Sequence, residues 1–251
     1  MQMSTTAAVI TGGASGLGEA TARHFAAQGA KVTLLDRDAA RGADVAKEIG
    51  GHFIETDVTR EDSVEAAIAQ AQEQMGALNA AVNCAGIAVG IKTTGRDGAH
   101  PLPAFQKTID INLTGSFNVA RLAATAMAKN EPDGEGARGV IINTASVAAY
   151  DGQKGQVAYA ASKGGIVGMT LPMARDLAQS GIRVMTIAPG IFGTPMLKGL
   201  PQDVQDSLAA EVPNPARLGD PNEYARLAAF IVEMGYLNGE VIRLDGALRM
   251  R

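Results

Sequence analysis

Short apolar runs alternate along the chain with longer stretches of helical periodicity. The short runs are dominated by Val, Ile, Leu and Ala and lack a regular polar face, which is typical of strands that are buried on both sides. We predict seven strands, at residues 7–11, 31–35, 52–55, 79–83, 139–144, 183–188 and 240–244. We predict helices near residues 17–28, 39–49, 61–75, 103–129, 156–179 and 221–233. This alternation predicts an α/β fold, with a doubly wound parallel sheet and helices on both faces.

Three segments interrupt the alternation. Residues 90–100 and 130–138 are polar and Gly-rich, and we expect both to be surface loops. Residues 190–215 contain four prolines and are expected to form an irregular cover over the site. Since no linker-like change of composition divides the chain, we expect a single domain over residues 1–251.

Composition narrows the classes of function. The 22 basic and 26 acidic residues give a net charge of −4, and no Lys/Arg run suggests nucleic acid as a partner. The single cysteine, Cys84, cannot form an intrachain disulfide, which fits a reducing compartment. No apolar run approaches the roughly 20 residues that cross a bilayer. Residues 1–6 lack the basic and apolar regions of a signal peptide, so we expect a cytoplasmic protein.

The first predicted strand runs directly into a glycine-rich turn. Gly12, Gly16 and Gly18 permit a tight turn and a close approach of the backbone to a pyrophosphate. Their spacing differs from G-x-G-x-x-G, and the turn alone would equally fit an ordinary strand–helix connection. Asp36 ends the second strand about 20 residues later, where a carboxylate can bind ribose hydroxyls and repel a 2′-phosphate. We therefore predict NAD over NADP, although a guanidinium at Arg37 could pair with such a phosphate.

Three polar residues are expected to meet at the carboxyl edge of the sheet. Tyr159 and Lys163 are four residues apart in a helical pattern and share one face. Ser146 follows the strand at residues 139–144. A tyrosine could exchange a proton with a secondary alcohol if a nearby cation favours its phenolate, and a serine could hold the substrate oxygen. A Tyr-x-x-x-Lys pair by itself is a common pattern on helix surfaces, but its position after the nucleotide turn favours the catalytic interpretation.

As a set, these residues closely resemble the short-chain dehydrogenase/reductase family over nearly the whole chain. The resemblance rests on residues 11–18, Asp57-Val58, Asn83-Cys84-Ala85-Gly86, Asn112, Ser146, Tyr159-Ala160-Ala161-Ser162-Lys163 and Pro189-Gly190 with Thr194. It implies a Rossmann-type fold and a homotetramer. It also implies that Tyr159 is the acid/base, Ser146 the carbonyl orienter, Lys163 the activator and ribose ligand, and Asn112 part of a proton relay.

The same resemblance implies a set of cofactor-binding positions. We expect NAD to contact Gly12, Ser15, Gly16, Leu17, Gly18, Asp36, Asp57, Val58, Asn83, Ala85, Gly86, Tyr159, Lys163, Pro189, Gly190, Phe192 and Thr194. Judged from the residues alone, Asp57 could instead cap the next helix, and Asn112 could bond to backbone.

Further runs resemble the members of that family that oxidise 3-hydroxyacyl-CoA thioesters. They include residues 83–89, 139–149, 164–171, 183–190, 192–195 and 237–246. This implies an acyl-CoA substrate, with Gln153 as a second contact to its carbonyl beside Ser146 and Tyr159. Lys92 and Arg96 could meet the phosphates of coenzyme A, or lie in a merely solvated loop.

Three other functions remain open from the sequence. The protein could oxidise steroids or other bulky secondary alcohols. It could reduce 3-oxoacyl groups on a carrier protein, although Asp36 opposes the NADP that this role normally uses. Since relatives have been recruited into RNA-processing assemblies, it could also be a non-catalytic scaffold, although a scaffold need not retain the acid/base residues.

Overall fold

The computed structural model describes residues 1–96, 98–199 and 201–250. The predicted loop 90–100 and the predicted cover 190–215 include Asp97 and Leu200, which lie outside the described residues, as does Arg251 at the end of the predicted domain. The side chains of Met196 and Lys198 are also outside the description.

The predicted sheet is confirmed, with all neighbouring strands parallel. The strands are β1 (Ala7–Thr11), β2 (Lys31–Asp36), β3 (His52–Glu55), β4 (Ala80–Asn83), β5 (Thr94–Gly95), β6 (Gly98–Ala99), β7 (Gly139–Thr144), β8 (Ile182–Pro189) and β9 (Val241–Leu244). Seven of them form one sheet in the order β3-β2-β1-β4-β7-β8-β9. The other two, β5 and β6, form a separate antiparallel hairpin within the predicted loop 90–100.

Helices cover both faces of the sheet. They are α1 (Gly16–Ala27), α2 (Ala39–Ile49), α3 (Glu61–Met75), α4 (Leu102–Ile109), α5 (Gly115–Met127), α6 (Val157–Leu177), α7 (Pro195–Lys198), α8 (Gln202–Ala210) and α9 (Pro221–Glu233). The helix predicted over 103–129 is not one regular helix, because a π-helical turn at Asp110–Thr114 separates α4 from α5. None of the helices in the described ranges has the length and apolar character that a membrane crossing requires.

The cover expected to be irregular over 190–215 contains α7 and α8, so that expectation was wrong for part of the segment. Pro195 is the first residue of α7, and Pro201 is the N-cap of α8. Proline is tolerated at a helix start, where its missing N–H would have no partner within the helix. Two of the prolines that suggested an irregular chain therefore begin helices.

Alternate residues of the strands pack into two apolar cores, one on each side of the sheet. Ala8 and Ile10 face the core formed with α1, α2 and α9. Ala7 and Val9 face the core formed with α3, α5 and α6. The strand order runs outward from β1 through β2 to β3, and in the other direction from β4 to β9. The connections therefore diverge between β1 and β4, which opens a crevice at the carboxyl ends of these strands.

Candidate active site

The glycine-rich turn after β1 is so closely packed that side chains are excluded at two positions. A Cβ on Gly12 would lie 2.9 Å from the backbone nitrogen of Ala85, and the residue has φ +64°. A Cβ on Gly18 would lie 2.2 Å from the carbonyl oxygen of Gly12. The backbone itself therefore forms the surface of the crevice at the start of α1, where amide groups can approach a phosphate.

Asp36 ends β2 beside this turn. Its Oδ2 accepts a hydrogen bond from the amide of Ala14 at 3.0 Å, and its Oδ1 accepts one from Asp38 at 3.0 Å. The turn and the carboxylate are thereby fixed relative to each other. Such a cradle, with a carboxylate at its adenosine end, fits a dinucleotide.

Asp57 lies close to the exposed Arg37. The Arg37 Nε is 3.9 Å from Asp57 Oδ2, while Asp57 Oδ1 accepts hydrogen bonds from the amide and hydroxyl of Thr59 at 3.0 and 2.7 Å. Burial raises the pKa of Asp57, but the bonds from Thr59 and the charge of Arg37 outweigh it, so the pKa is below its usual value. Asp57 therefore lies at the cavity, but the alternative that it caps the next helix was wrong, because its bonds to Thr59 lie in the turn before α3 and the N-cap of α3 is Arg60, without a side-chain cap bond.

A cavity of about 460 Å³ connects the predicted cofactor residues with the predicted catalytic residues. Its lining includes Gly12, Ser15, Gly16, Leu17, Gly18, Asp36, Asp57, Val58, Ala85, Gly86, Ser146, Tyr159, Lys163, Pro189, Gly190, Phe192 and Thr194. The glycines lie between the Asp36 end and the Tyr159 end. This continuity matches the extended shape of a dinucleotide.

The catalytic candidates meet at the end of β7. Ser146 is the N-cap of a short 3₁₀ turn, where its Oγ accepts a hydrogen bond from the Ala148 amide at 3.1 Å. The Lys163 ammonium lies 5.7 Å from the centre of the Tyr159 ring. It donates a hydrogen bond to the carbonyl oxygen of Thr144 at 2.7 Å. A proton donor, an oxygen-binding hydroxyl and a cation are thus gathered at one end of the cavity.

Burial opposes the charged forms of both titrating side chains. It raises the pKa of Tyr159, and a hydrogen bond with Ser146 offsets only part of that effect. It lowers the pKa of Lys163 to about 8, with a smaller opposing effect from Cys84. The site alone therefore favours a neutral tyrosine, and an added positive charge would be needed to favour its phenolate.

Asn112 lies at the centre of the π turn and is fully buried. Its Nδ2 donates hydrogen bonds to the Ile87 carbonyl at 2.9 Å and to Ser162 Oγ at 3.1 Å, and its Oδ1 accepts one from the Ile87 amide at 2.8 Å. Ser162 in turn donates a hydrogen bond to the Tyr159 carbonyl at 2.7 Å. The predicted bonding of Asn112 to backbone is therefore present, and it connects the loop after β4 with the helix of Tyr159.

Three predicted site residues do not line the cavity. Asn112 is one of them, and Asn83 is another, because its Nδ2 is directed into the core towards Asn143 Oδ1 at 2.9 Å. Gln153 is the third: its backbone nitrogen donates a hydrogen bond to Gln156 Oε1 at 3.0 Å, and its side-chain Oε1 accepts one from Gln156 Nε2 at 3.5 Å. These positions can act on the cavity only through their neighbours in this conformation.

The cavity also includes residues that the sequence did not indicate. They are Leu35, Thr56, Ile87, Ala88, Ile111, Thr144, Ala145 and Pro195, together with Arg37, for which a phosphate contact was only an alternative. Cys84, which belongs to the predicted stretch Asn83-Cys84-Ala85-Gly86, also lines the cavity. Most of the unpredicted residues are apolar and follow directly after a predicted site residue or strand. Their position at strand ends was the available signal, but their side chains show no chemistry that would distinguish them from core residues.

Comparison with known proteins identifies the family. The short chain dehydrogenase model matches residues 6–205. The chain is 60% identical over 248 residues to 3-hydroxyacyl-CoA dehydrogenase type-2 of Bos taurus, covering 97% of this chain and 95% of that protein. It is 56% identical over 246 residues to the Drosophila melanogaster protein of the same name, covering 96% of each.

A solved structure agrees with the sequence comparison. The crystal structure of 3-hydroxyacyl-CoA dehydrogenase type-2 from Mycobacterium avium superposes with a TM-score of 0.93 at 47% identity, covering 98% of this chain and 96% of that one. The crevice between β1 and β4, the Tyr159–Lys163 pair and these matches together lead to one conclusion. The chain belongs to the short-chain dehydrogenase family and is an oxidoreductase that uses a nicotinamide dinucleotide.

Proposed function

We propose that this protein interconverts 3-hydroxyacyl-CoA and 3-oxoacyl-CoA thioesters with NAD as its cofactor. The observation that carries the proposal is the single cavity that joins Asp36 to Ser146, Tyr159 and Lys163. The relatives named for 3-hydroxyacyl-CoA dehydrogenation, at up to 60% identity over nearly the whole chain, support the choice of substrate.

The preference for NAD follows from Asp36. Its carboxylate suits two ribose hydroxyls and would repel a 2′-phosphate at the same place. Gly12 to Gly18 would hold the pyrophosphate, with Asp57, Val58 and Ala85 on the adenosine side. Lys163 would bind the nicotinamide ribose, and residues from Pro189 to Thr194 would hold the carboxamide. Asn83 would contribute by holding the end of β4 from within the core.

The side chains at the other end of the cavity perform the proton chemistry. A bound nicotinamide dinucleotide supplies or accepts the hydride and, in its oxidised form, adds positive charge beside Tyr159. Ser146 donates a hydrogen bond to the substrate oxygen and fixes the position of the carbonyl. Tyr159 gives its proton to that oxygen during reduction and takes it back during oxidation. Lys163 provides the positive charge that favours the phenolate.

Asn112 would contribute to the proton relay through its backbone. Both hydrogens of its side-chain amide are already engaged with Ile87 and Ser162. The carbonyl oxygen of Asn112 accepts a hydrogen bond from Ser116 Oγ at 2.7 Å. A second lone pair on that carbonyl could accept a water molecule between Lys163 and solvent.

Recognition of the acyl-CoA would involve the segment around the β5–β6 hairpin. This segment is anchored to the region before α6, since the Ile91 amide donates a hydrogen bond to the Gly155 carbonyl at 2.8 Å. Lys92 and Arg96 are exposed there and could attract coenzyme A phosphates. Gln153 lies in the same region and would reach the substrate carbonyl if its contact with Gln156 were released.

Self-association and compartment are part of the same proposal. Leu102, Phe117 and Phe230 are large apolar side chains that lie exposed on the described surface. We propose a homotetramer on the family resemblance, with these side chains as candidates for its subunit contacts. The free thiol of Cys84 suits a reducing compartment, and we propose a cytoplasmic protein with one domain over residues 1–251.

Initial rates of NADH oxidation with acetoacetyl-CoA test this proposal. Purified protein should turn over acetoacetyl-CoA with NADH and prefer NADH to NADPH. The same assay with a 17-ketosteroid in place of acetoacetyl-CoA tests the alternative of a bulky alcohol substrate. Folded protein that binds NADH but reduces only the steroid would overturn the acyl-CoA assignment and retain the dehydrogenase assignment.

A further inference from the structure

Three polar side chains, the buried Tyr224 and Thr144 and the partly buried Cys84, form a hydrogen-bonded ring next to the contact of Lys163 with the Thr144 carbonyl. The hydroxyls of Tyr224 on α9 and Thr144 at the end of β7 are hydrogen-bonded to each other at 2.6 Å. Thr144 Oγ1 also donates to Cys84 Sγ at 3.5 Å, and Cys84 Sγ donates to the Tyr224 hydroxyl at 3.6 Å. If Tyr224 is the donor to Thr144, each group in the ring donates once and accepts once.

Packing alone does not require the hydroxyl of Tyr224. The other buried residues of α9 are Ala225, Ala228, Ala229, Ile231 and Val232. Tyr224 itself is completely buried, and a phenylalanine would fill nearly the same volume without placing a polar atom in the core. A buried hydroxyl is tolerated only with a partner, and this one is paired with the residue whose carbonyl holds Lys163.

The bond acts on a short and chemically important part of the backbone. The carbonyl oxygen of Thr144 accepts the 2.7 Å hydrogen bond from Lys163 Nζ. Two residues further on, Ser146 provides the hydroxyl that would hold the substrate oxygen. A side-chain bond that fixes Thr144 therefore limits the movement of the acceptor of Lys163 and of the chain leading to Ser146.

We propose that Tyr224 is a positioning residue, which acts through Thr144 to hold Lys163 and Ser146 in the catalytic arrangement. The proposal rests on the roles given above to Lys163 and Ser146. It assigns to α9 a part in catalysis across the sheet from α6, which carries Tyr159. Tyr224 is absent from the lining of the cavity, and its hydroxyl reaches that lining through Thr144 and Cys84.

Two titratable groups act on Lys163 in the described structure. Tyr159 faces it from one turn earlier on α6, and Cys84 faces it from the end of β4. The acceptor on β7 is the neutral carbonyl of Thr144. Loss of a firm carbonyl contact would make the ammonium form of Lys163 less favourable, and the weaker positive charge would raise the pKa of Tyr159.

Tyr224→Phe tests the proposal because it removes the hydroxyl and preserves the ring. We expect kcat for 3-hydroxybutyryl-CoA oxidation to fall about tenfold, as for the loss of one well-aligned hydrogen bond. The acid limb of its pH profile should move upward by about half a pH unit or more. Thr144→Val should have a similar effect, and the double variant should be hardly slower than either single one. Thr144→Ser, which keeps the hydroxyl, should restore most of the rate.

A matched control separates this role from general damage to the core. Thr186→Val breaks another buried hydroxyl pair, Thr170–Thr186 at 2.7 Å, which joins α6 to β8 without contacting Thr144 or Lys163. It should lower the melting temperature as Tyr224→Phe does, but leave the pH profile in place. A profile that moves equally in Thr186→Val, or not at all in Tyr224→Phe, would overturn the proposal.

A measurement without turnover keeps this inference distinct from the proposed function. The ¹³Cε signals of labelled lysine, with Lys163 assigned by Lys163→Arg, report its titration, which we expect near pH 8 in the unmodified protein. The midpoint should be lower in Tyr224→Phe and unchanged in Thr186→Val. If acetoacetyl-CoA is not a substrate, the proposed function fails while this titration still decides the role of Tyr224. Equal midpoints in all three proteins would contradict that role.

Discussion

The two ends of the cavity achieve their chemistry by different means. At the β1 end the backbone forms the surface, and a Cβ on Gly18 would lie 2.2 Å from a carbonyl oxygen. At the β7 end side chains form the site, and the ionisable group of Lys163 is buried with its pKa lowered to about 8. The first end is sensitive to added atoms, whereas the second is sensitive to lost atoms and to pH. Substitutions at the two ends should therefore separate cofactor binding from chemistry.

The largest effect is expected at the β7 end. Tyr159→Phe removes the proton donor and should lower kcat by about a thousandfold, within the usual range for general acid–base catalysis. NADH binding, measured by fluorescence titration, should remain within a few-fold of the unmodified protein. Tyr236→Phe, which removes the same hydroxyl from a fully exposed side chain, provides the matched control. A strong loss of NADH binding in Tyr159→Phe would contradict the assignment of cofactor binding and proton transfer to different ends of the cavity.

The opposite pattern is expected at the β1 end. Gly18→Ala forces the turn to move away from α1 and should cost about 3 kcal/mol of stability, the upper range for overpacking a tight site. It should weaken NADH binding more than it lowers the rate of proton transfer by Tyr159 in enzyme that has NADH bound. In Gly168→Ala the new Cβ would meet nothing within 4 Å, so the variant should retain stability and binding. A normal melting temperature and NADH affinity for Gly18→Ala would show that the turn is not closely packed.

The buried lysine should appear as a pH dependence of stability. The pKa of Lys163 is about 8 in the folded protein and 10.5, its ordinary value, in the unfolded chain. Between pH 8 and pH 10.5 the unfolded chain therefore binds a proton that the folded protein has lost. Stability from Lys163 therefore rises with pH across this window, by at most about 3 kcal/mol. Relative to the unmodified protein, Lys163→Met should have its greatest advantage in free energy of unfolding near pH 7, and this advantage should disappear towards pH 10.5. Urea unfolding at several pH values measures the difference, with Lys129→Met on the surface as the control, and a constant difference would contradict the burial argument.

The smallest of these effects is expected for cofactor choice. Asp36→Asn keeps the shape of the side chain but loses its charge, and should raise the KM for NADH about tenfold through a weakened charged hydrogen bond. The KM for NADPH should fall relative to that for NADH, because the repulsion of a 2′-phosphate is gone. Asp38→Asn, two residues further on and outside the cavity lining, is the control. An unchanged ratio of the two KM values would remove the argument for NAD.

The sequence predicts the structure best where a single pattern determines it. The apolar strands of the sheet and the Tyr159–Lys163 spacing both follow from short-range periodicity, and the structure has both. The π turn around Asn112 was not predicted, because its helical periodicity resembles that of α4 and α5. It is accompanied by contacts from Asn112 to Ile87 and Ser162, which are distant in the sequence.

The hydrogen bond between Tyr224 and Thr144 was not predicted for the same reason, because it joins residues that are distant in the sequence. The two residues are 80 positions apart, and each lies in a segment whose pattern predicts only a helix or a strand. The helices α7 and α8 were missed for a different reason, because proline composition does not distinguish a helix start from an irregular chain. Prediction from one sequence thus recovers regular elements and local motifs, but not contacts between distant buried polar groups.

The most direct test of the central claim is the transfer of deuterium from NADH labelled at both C4 positions to acetoacetyl-CoA. We predict that the product, 3-hydroxybutyryl-CoA, carries deuterium at C3, and that it forms about a thousandfold more slowly with Tyr159→Phe. Mass spectrometry of the product identifies the labelled position. Product without deuterium at C3, or product formed at an unchanged rate by Tyr159→Phe, would contradict the account.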